Sequence, residues 1–173
     1  MPPRLLVEAR PGAGKTTAFR RLAELLSERG VAVAGFTTEE LRVKGRRVGF
    51  AVESVDGERA RLAHGELPGP PRVGRYGVDL EAFEGIALPA LRPPRGGGVV
   101  LIDELGKMEL ASESFRAAVE ELLEQPVSLA AAVHTARHPF TDRLKRRRGV
   151  EVIPLRAANR DSLPAELAER LAS

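Results

Sequence analysis

The sequence predicts a single α/β domain, residues 1–173, with a mainly parallel sheet and one antiparallel hairpin excursion. Three observations carry this. The apolar run Leu5-Leu6-Val7 leads through a glycine-rich loop into apolar positions Phe19, Leu22, Leu25 and Leu26, which recur at helical spacing. Short apolar runs at Val31–Phe36, Val99–Ile102 and Val127–Val133 then alternate with amphipathic stretches, the pattern of strands joined by crossover helices. Finally, Val55-Asp56-Gly57 separates two strand-like runs, an Asp-Gly hairpin signal.

In order, Arg4–Glu8 reads as a buried strand, Thr17–Arg29 as a helix with Gly30 as its C-cap, and Val31–Phe36 as a second strand. The polar stretch Thr37–Arg42 is expected beyond the carboxyl end of that strand, where open α/β sheets bind ligands. Arg47–Ser54 and Glu58–Leu62 form the hairpin beside the main sheet, and Arg72–Tyr76 a short strand. Asp79–Leu91 is helical, with Pro89 working against its last turn. Val99–Ile102 is the most strand-like run and ends in Asp103-Glu104. Ser112–Glu124 is an amphipathic helix, Val127–Val133 a strand, Pro139–Arg147 a short basic helix and Val150–Leu155 a strand. Pro164–Leu171 closes the chain as a helix, its proline suited to the first turn.

Composition sets the class. At 173 residues, 43% hydrophobic and 29% charged, the chain suits one domain with a sizeable core. No apolar run spans a bilayer and no signal-peptide pattern is present, so a cytoplasmic protein without membrane partners is expected. The net charge of +3 suits a polyanionic ligand of nucleotide size. Asn159 and Gln125 are the only side-chain amides and prolines number 13, a bias toward a thermophilic source. Only Lys15, Lys44, Lys107 and Lys145 are lysines in this arginine-rich chain. Arginine does not replace a lysine in a tight phosphate cradle, which draws attention to Lys15 and Lys107.

Ala9-Arg10-Pro11-Gly12-Ala13-Gly14-Lys15-Thr16-Thr17 lies between the first strand and the first helix, the setting of a phosphate-binding P-loop. Small residues let successive backbone N–H groups turn inward, and the helix N-terminus adds its partial positive charge. Lys15 is placed to reach the β- and γ-phosphates, and the Thr16 hydroxyl to ligate magnesium. Lys15 is expected to face solvent before nucleotide binds, so that its removal leaves the fold intact. The strict pattern places glycine where this chain has Ala9, the smallest alternative.

Val99–Ile102 with Asp103-Glu104 reads as a Walker B strand. Asp103 would hold magnesium through its water shell, and Glu104 would orient or deprotonate an attacking water. Together these features resemble the P-loop NTPase three-layer fold, in its branch with an additional catalytic glutamate. Lys107 is placed to neutralise charge developing on the transferred phosphoryl group.

The chain resembles the small P-loop nucleoside-triphosphatases first associated with thermophiles, a family with a human, cancer-related member. The resemblance rests on Pro11–Thr17, Gly35–Arg42, Gly45–Phe50, Gly74–Val78 and Asp103-Glu104-Leu105-Gly106-Lys107-Met108-Glu109, with His138-Pro139 and Asn159-Arg160-Asp161 near the end. It implies Mg2+-dependent hydrolysis of nucleoside 5′-triphosphates, ATP and GTP among them, with loose reading of the base. Arg42, Arg46, Arg47 and Arg75 are candidates for phosphate contacts or an internal arginine finger, with Arg42 placed among the nucleotide-binding residues. Asn159 and Arg160 follow the last strand, where a base can stack on guanidinium and bond to the amide, a plain turn being the alternative.

Two other readings stay open. A nucleotide kinase shares the P-loop but needs an acceptor pocket, and usually an arginine-bearing lid. A nucleotide-switched RNA-binding module rests only on the basic run Arg143, Lys145, Arg146, Arg147 and Arg148, which has no interleaved aromatic residues for stacking. His134 and His138 lack the partners of a metal site and read as structural or minor pocket residues. The oligomeric state is left open, with a monomer the expectation.

Overall fold

The computed structural model describes residues 1–173. Its strands are β1 (Arg4–Ala9), β2 (Val33–Val43), β3 (Arg46–Ser54), β4 (Arg59–His64), β5 (Arg72–Val73), β6 (Tyr76–Val78), β7 (Val99–Leu105), β8 (Ser128–His134) and β9 (Glu151–Pro154). Its helices are α1 (Lys15–Glu28), α2 (Leu80–Ala90), α3 (Glu113–Leu123), α4 (Pro139–Lys145) and α5 (Leu163–Leu171), with a 3-10 turn at Glu109–Ala111. All nine strands form one sheet in the order β5-β6-β4-β3-β2-β7-β8-β1-β9. Pairing from β2 through β7, β8 and β1 to β9 is parallel, and the remaining pairs are antiparallel.

The strand period of two sorts the apolar residues into two cores, one on each face, rather than the single core expected from chain length. Leu6, Val100, Ile102, Leu129, Ala131 and Val133 join a 24-residue cluster that includes Phe83, Phe115 and Phe140 from α2, α3 and α4. Their neighbours Leu5, Val7, Val99, Leu101, Ala130 and Ala132 join a 16-residue cluster with α1 and α5. The result is three layers. Phe36, Phe83 and Phe115 meet edge to face at centroid distances of 5.7, 5.8 and 5.0 Å, locking β2 to α2 and α3.

Four expectations change here. The polar stretch Thr37–Arg42 is strand, because β2 is the seam of the sheet. Val33–Phe36 pair in parallel with β7, and Phe36–Val43 pair antiparallel with β3. Its polar side chains find cross-strand and neighbouring ion pairs, Glu40 with Arg47 and Glu39 with Arg20 and Arg59, while β3 takes the backbone hydrogen bonds. The hairpin therefore extends the main sheet instead of standing beside it. The run Arg72–Tyr76 splits into β5 and β6 around Gly74-Arg75, and α2 continues to Ala90 despite Pro89. Gly35 explains how β2 sits so close to β7. Its φ is +117°, and a Cβ there would lie 1.8 Å from the Leu101 carbonyl oxygen.

Helix α2 starts at Asp79, whose carboxylate accepts a hydrogen bond of 2.9 Å from the Ala82 N–H. Asp79→Ala should lower stability by about 1 kcal/mol. In a chain of this size that corresponds to about 2–4 °C in melting temperature, readable by circular dichroism, with triphosphate hydrolysis unchanged.

Candidate active site

The parallel half of the sheet brings the carboxyl ends of β1, β7 and β8 side by side, and the chemistry-bearing residues gather there. The loop after β1 turns at Arg10–Ala13, where the Ala13 N–H donates to the Arg10 carbonyl at 3.1 Å, and enters α1 through Gly14 at φ +90°. Helix α1 has no side-chain cap and no acidic residue in its first turn. Its leading N–H groups are therefore free to take an anion, reinforced by the helix dipole. Ala9 belongs to β1, pairs with His134 and is buried in the α1/α5 core, while Arg10, Pro11, Gly12, Gly14 and Thr17 are exposed around the turn.

Lys15 does not face solvent as expected. Its side chain is 20% exposed, and its ammonium lies 3.3 Å from Glu104 Oε1 and 3.9 Å from Asp103 Oδ1. Burial pulls its pKa down, but the charges of Glu104 and Asp103 outweigh this and leave it above the ordinary value. Consecutive strand residues normally point to opposite faces, yet Asp103 and Glu104 address one lysine. The β7–β8 ladder is irregular between Ile102 and Leu105, and that break lets β7 turn both carboxylates into one site.

Asp103 is completely buried. Its Oδ2 accepts a hydrogen bond from the Thr16 hydroxyl at 2.8 Å, and its Oδ1 has no hydrogen-bond partner. Burial pushes its pKa up to about 6, against the pull of Lys15 and Thr16. Burial also raises Glu104, but the imidazole of His134 at 2.8 Å and the Lys15 ammonium prevail and hold it below its usual value. Glu104 is thus a carboxylate gripped by two groups. Glu109 is the opposite case. It is 3% exposed, and burial followed by the Glu104 charge pushes its pKa well above the ordinary value.

His134 and Glu109 were not assigned to the site by sequence reasoning. His134 ends β8, far from Glu104 in the chain, and only the β7–β8 pairing brings them together. The carbonyl of His134 is held by Lys145 Nζ at 2.9 Å, and the same ammonium contacts Glu8 at 2.6 Å. Lys145 is therefore committed, and Arg143 and Arg147 of the same basic run pair with Glu120. His138 instead caps α4, its Nδ1 accepting from the Phe140 N–H at 3.1 Å.

Of the other residues singled out, Lys107 and Arg160 line two separate concavities, and Asn159 and Arg42 line neither. Lys107 is exposed at the mouth of a cavity of about 330 Å3, which Lys15, Glu104, Glu109, His134 and Arg47 also line. Arg160 lies in a shallow pocket with Gly14, Thr17, Arg21 and Asp161. Asn159 uses both ends of its amide on its own turn, accepting from the Arg156 N–H and donating to the Pro154 carbonyl. Arg42 is exposed and bonded to Glu40 and the Gly45 carbonyl, outside both concavities. No helix is long and apolar enough to cross a membrane.

Comparison with known proteins bears on this arrangement. A family model described as NTPase matches residues 4–168. The chain is 41% identical over 165 residues to the nucleoside-triphosphatase THEP1 of Thermotoga petrophila, spanning 95% of this chain and 90% of that one. It is 40% identical over 167 residues to the human cancer-related nucleoside-triphosphatase, spanning 88% of each. Its fold is similar to the crystal structure of THEP1 from the hyperthermophile Aquifex aeolicus, with a TM-score of 0.88 at 32% identity, covering 98% of this chain and 99% of that chain.

Proposed function

The chain belongs to this NTPase family and is a nucleoside-triphosphatase, and from that premise we propose how its own residues divide the work. Phosphates of the substrate lie on the N–H groups of Gly12–Thr16, with the γ-phosphate at Lys15 and the base running toward Thr17 and Arg160. Lys15 gathers charge on the β- and γ-oxygens. Glu104 orients the attacking water and takes its proton, with His134 fixing the carboxylate in place. Because its pKa is held low, Glu104 acts chiefly by orientation early in the reaction and as proton acceptor late. That order suits a loose phosphoryl-transfer transition state. Lys107, at the cavity mouth, is placed to meet charge on the departing phosphate.

The observation that carries this reading is the convergence of Lys15, Asp103, Glu104 and His134 at the end of one β-sheet seam beside an uncapped helix N-terminus. A hydrated divalent cation fits here. Asp103 Oδ1 is a buried carboxylate oxygen without a hydrogen-bond partner, and Thr16 supplies a hydroxyl beside the carboxylate. Thr16 and Asp103 would hold Mg2+, whose positive charge offsets that of the phosphate oxygens when bound.

Phosphate release from ATP, GTP, CTP and UTP across a magnesium titration tests the assignment. Asp103→Asn should shift the magnesium half-saturation point upward by about 10–100-fold, the scale seen when a metal's supporting carboxylate is lost. All four triphosphates should remain substrates, within about tenfold of one another in kcat/KM. An unchanged magnesium dependence in Asp103→Asn would remove this residue from the metal site.

A further inference from the structure

The cavity beyond Glu104 is larger than water activation requires. A water molecule occupies about 30 Å3 in the liquid, and small-molecule pockets begin near 300 Å3. This cavity measures about 330 Å3, and its walls are organised. Pro11, Gly12 and Lys15 of the phosphate loop form one end, while Gly14 and Thr17 of the same loop face the other concavity. The two hollows share no residue. With phosphates on the loop and the base on the Thr17 side, the 330 Å3 cavity lies past the γ-phosphate, on the side from which a nucleophile attacks.

Its floor is apolar. Phe50, Leu62, Val73, Leu105, Met108 and Leu110 come from β3, β4, β5, β7 and the turn after it, an apolar surface that an organic ring can lie against. Its rim carries Arg47, held by its Nε bond to the Tyr76 hydroxyl at 3.1 Å and lying 5.3 Å from the Phe50 ring centroid. At its inner end stand the carboxyl groups of Glu104, assigned above as the base, and Glu109. Apolar walls bind an organic body, and the base at the end selects a group that must lose a proton.

We propose that this cavity is an acceptor site and that the protein also transfers the γ-phosphoryl group to a hydroxyl of an aromatic, nucleoside-sized compound. The acceptor oxygen bonds to the γ-phosphorus as the bond from that phosphorus to the bridging oxygen of the β-phosphate breaks. The hydroxyl proton passes to Glu104, and the electron pair leaves with the nucleoside diphosphate. Water takes the same position when no acceptor is present. The inference rests on the phosphate and base placement proposed above.

The test uses the intact protein with γ-labelled ATP and magnesium, with adenosine, guanosine, cytidine, uridine or thymidine at millimolar concentration, and in parallel with their monophosphates. Labelled nucleoside monophosphate is the expected product from at least one nucleoside. Val73→Trp narrows the slot at the sheet edge, away from the loop and Glu104. It should reduce transfer ~10-fold or more, since a misfit of one methylene already costs that much, and leave phosphate release to water unchanged. Calorimetric binding of the same nucleoside to the parent protein gives a reading that needs no variant. Hydrolysis without labelled product or binding from any nucleoside overturns the acceptor site while leaving the hydrolase assignment intact. Transfer only to the monophosphates, or transfer indifferent to Val73→Trp in a folded protein, also overturns it. Loss of hydrolysis in the parent would strike at the phosphate-site reading itself.

Discussion

Glu104→Gln is expected to lower kcat by ~10²–10⁴-fold, the range for removing a positioned base, while triphosphate affinity with magnesium stays nearly unchanged. The amide keeps the volume and the close approach to the His134 imidazole, which stands 2.8 Å from the native carboxylate. It loses the charge that accepts a proton. Its pairing with Lys15, 3.3 Å away in the native chain, also weakens, which frees that ammonium for the γ-phosphate and works against any loss of binding. Single-turnover hydrolysis with an independent nucleotide titration separates the two quantities. A variant that turns over at the parental rate would remove Glu104 from the chemistry and leave it as a counter-ion for Lys15.

Lys15→Ala should have the larger effect, and on two properties at once. Losing one preorganised donor to transition-state charge costs about 10²–10³-fold, and a full charge bearing on two phosphates should exceed ~10³-fold. The second property is stability. Lys15 lies between Asp103, completely buried, and Glu104, whose side chain is 14% exposed. Breaking a fully buried ion pair costs about 3–5 kcal/mol, and with one fifth of Lys15 open to solvent about 1–3 kcal/mol is expected here. Lys15→Arg divides the two roles. It keeps the positive charge and most of the melting temperature, but its planar fork does not fit the loop's cradle, so turnover stays low. Denaturant melts of both variants beside phosphate-release assays check this. A fully stable Lys15→Ala would mean that the carboxylates are neutralised without it.

The chain shows which parts of such a site are written locally. Phe19, Leu22 and Leu26 recur at helical spacing, Leu5 and Val7 sit in a short apolar run, and both patterns survive as α1 and β1. The loop between them is legible because small residues, Lys15 and Thr16 are contiguous and their backbone makes the site. Asp103-Glu104 is legible for the same reason, at the end of a strand apolar enough to be central. The stretch Thr37–Arg42 shows the converse. Its polarity favours a loop, but hydrogen bonds offered by β3, later in the chain, turn it into strand.

By itself, then, the sequence determined the α/β class, the alternation of strands and helices, and the positions of the Gly12–Thr16 loop and of Asp103-Glu104 at strand ends. Each depends on side-chain period or on neighbours within a few residues, which are present in any compact arrangement of the chain. Tertiary structure alone decided the partners. It placed His134 against Glu104 through the β7–β8 register, clamped Lys15 between two carboxylates through a break in that ladder, and buried Glu109 beside them. It also opened a cavity between β3, β4, β5 and the turn after β7. Such facts depend on which distant strands lie side by side and how much water they exclude. No window of neighbouring residues contains that information.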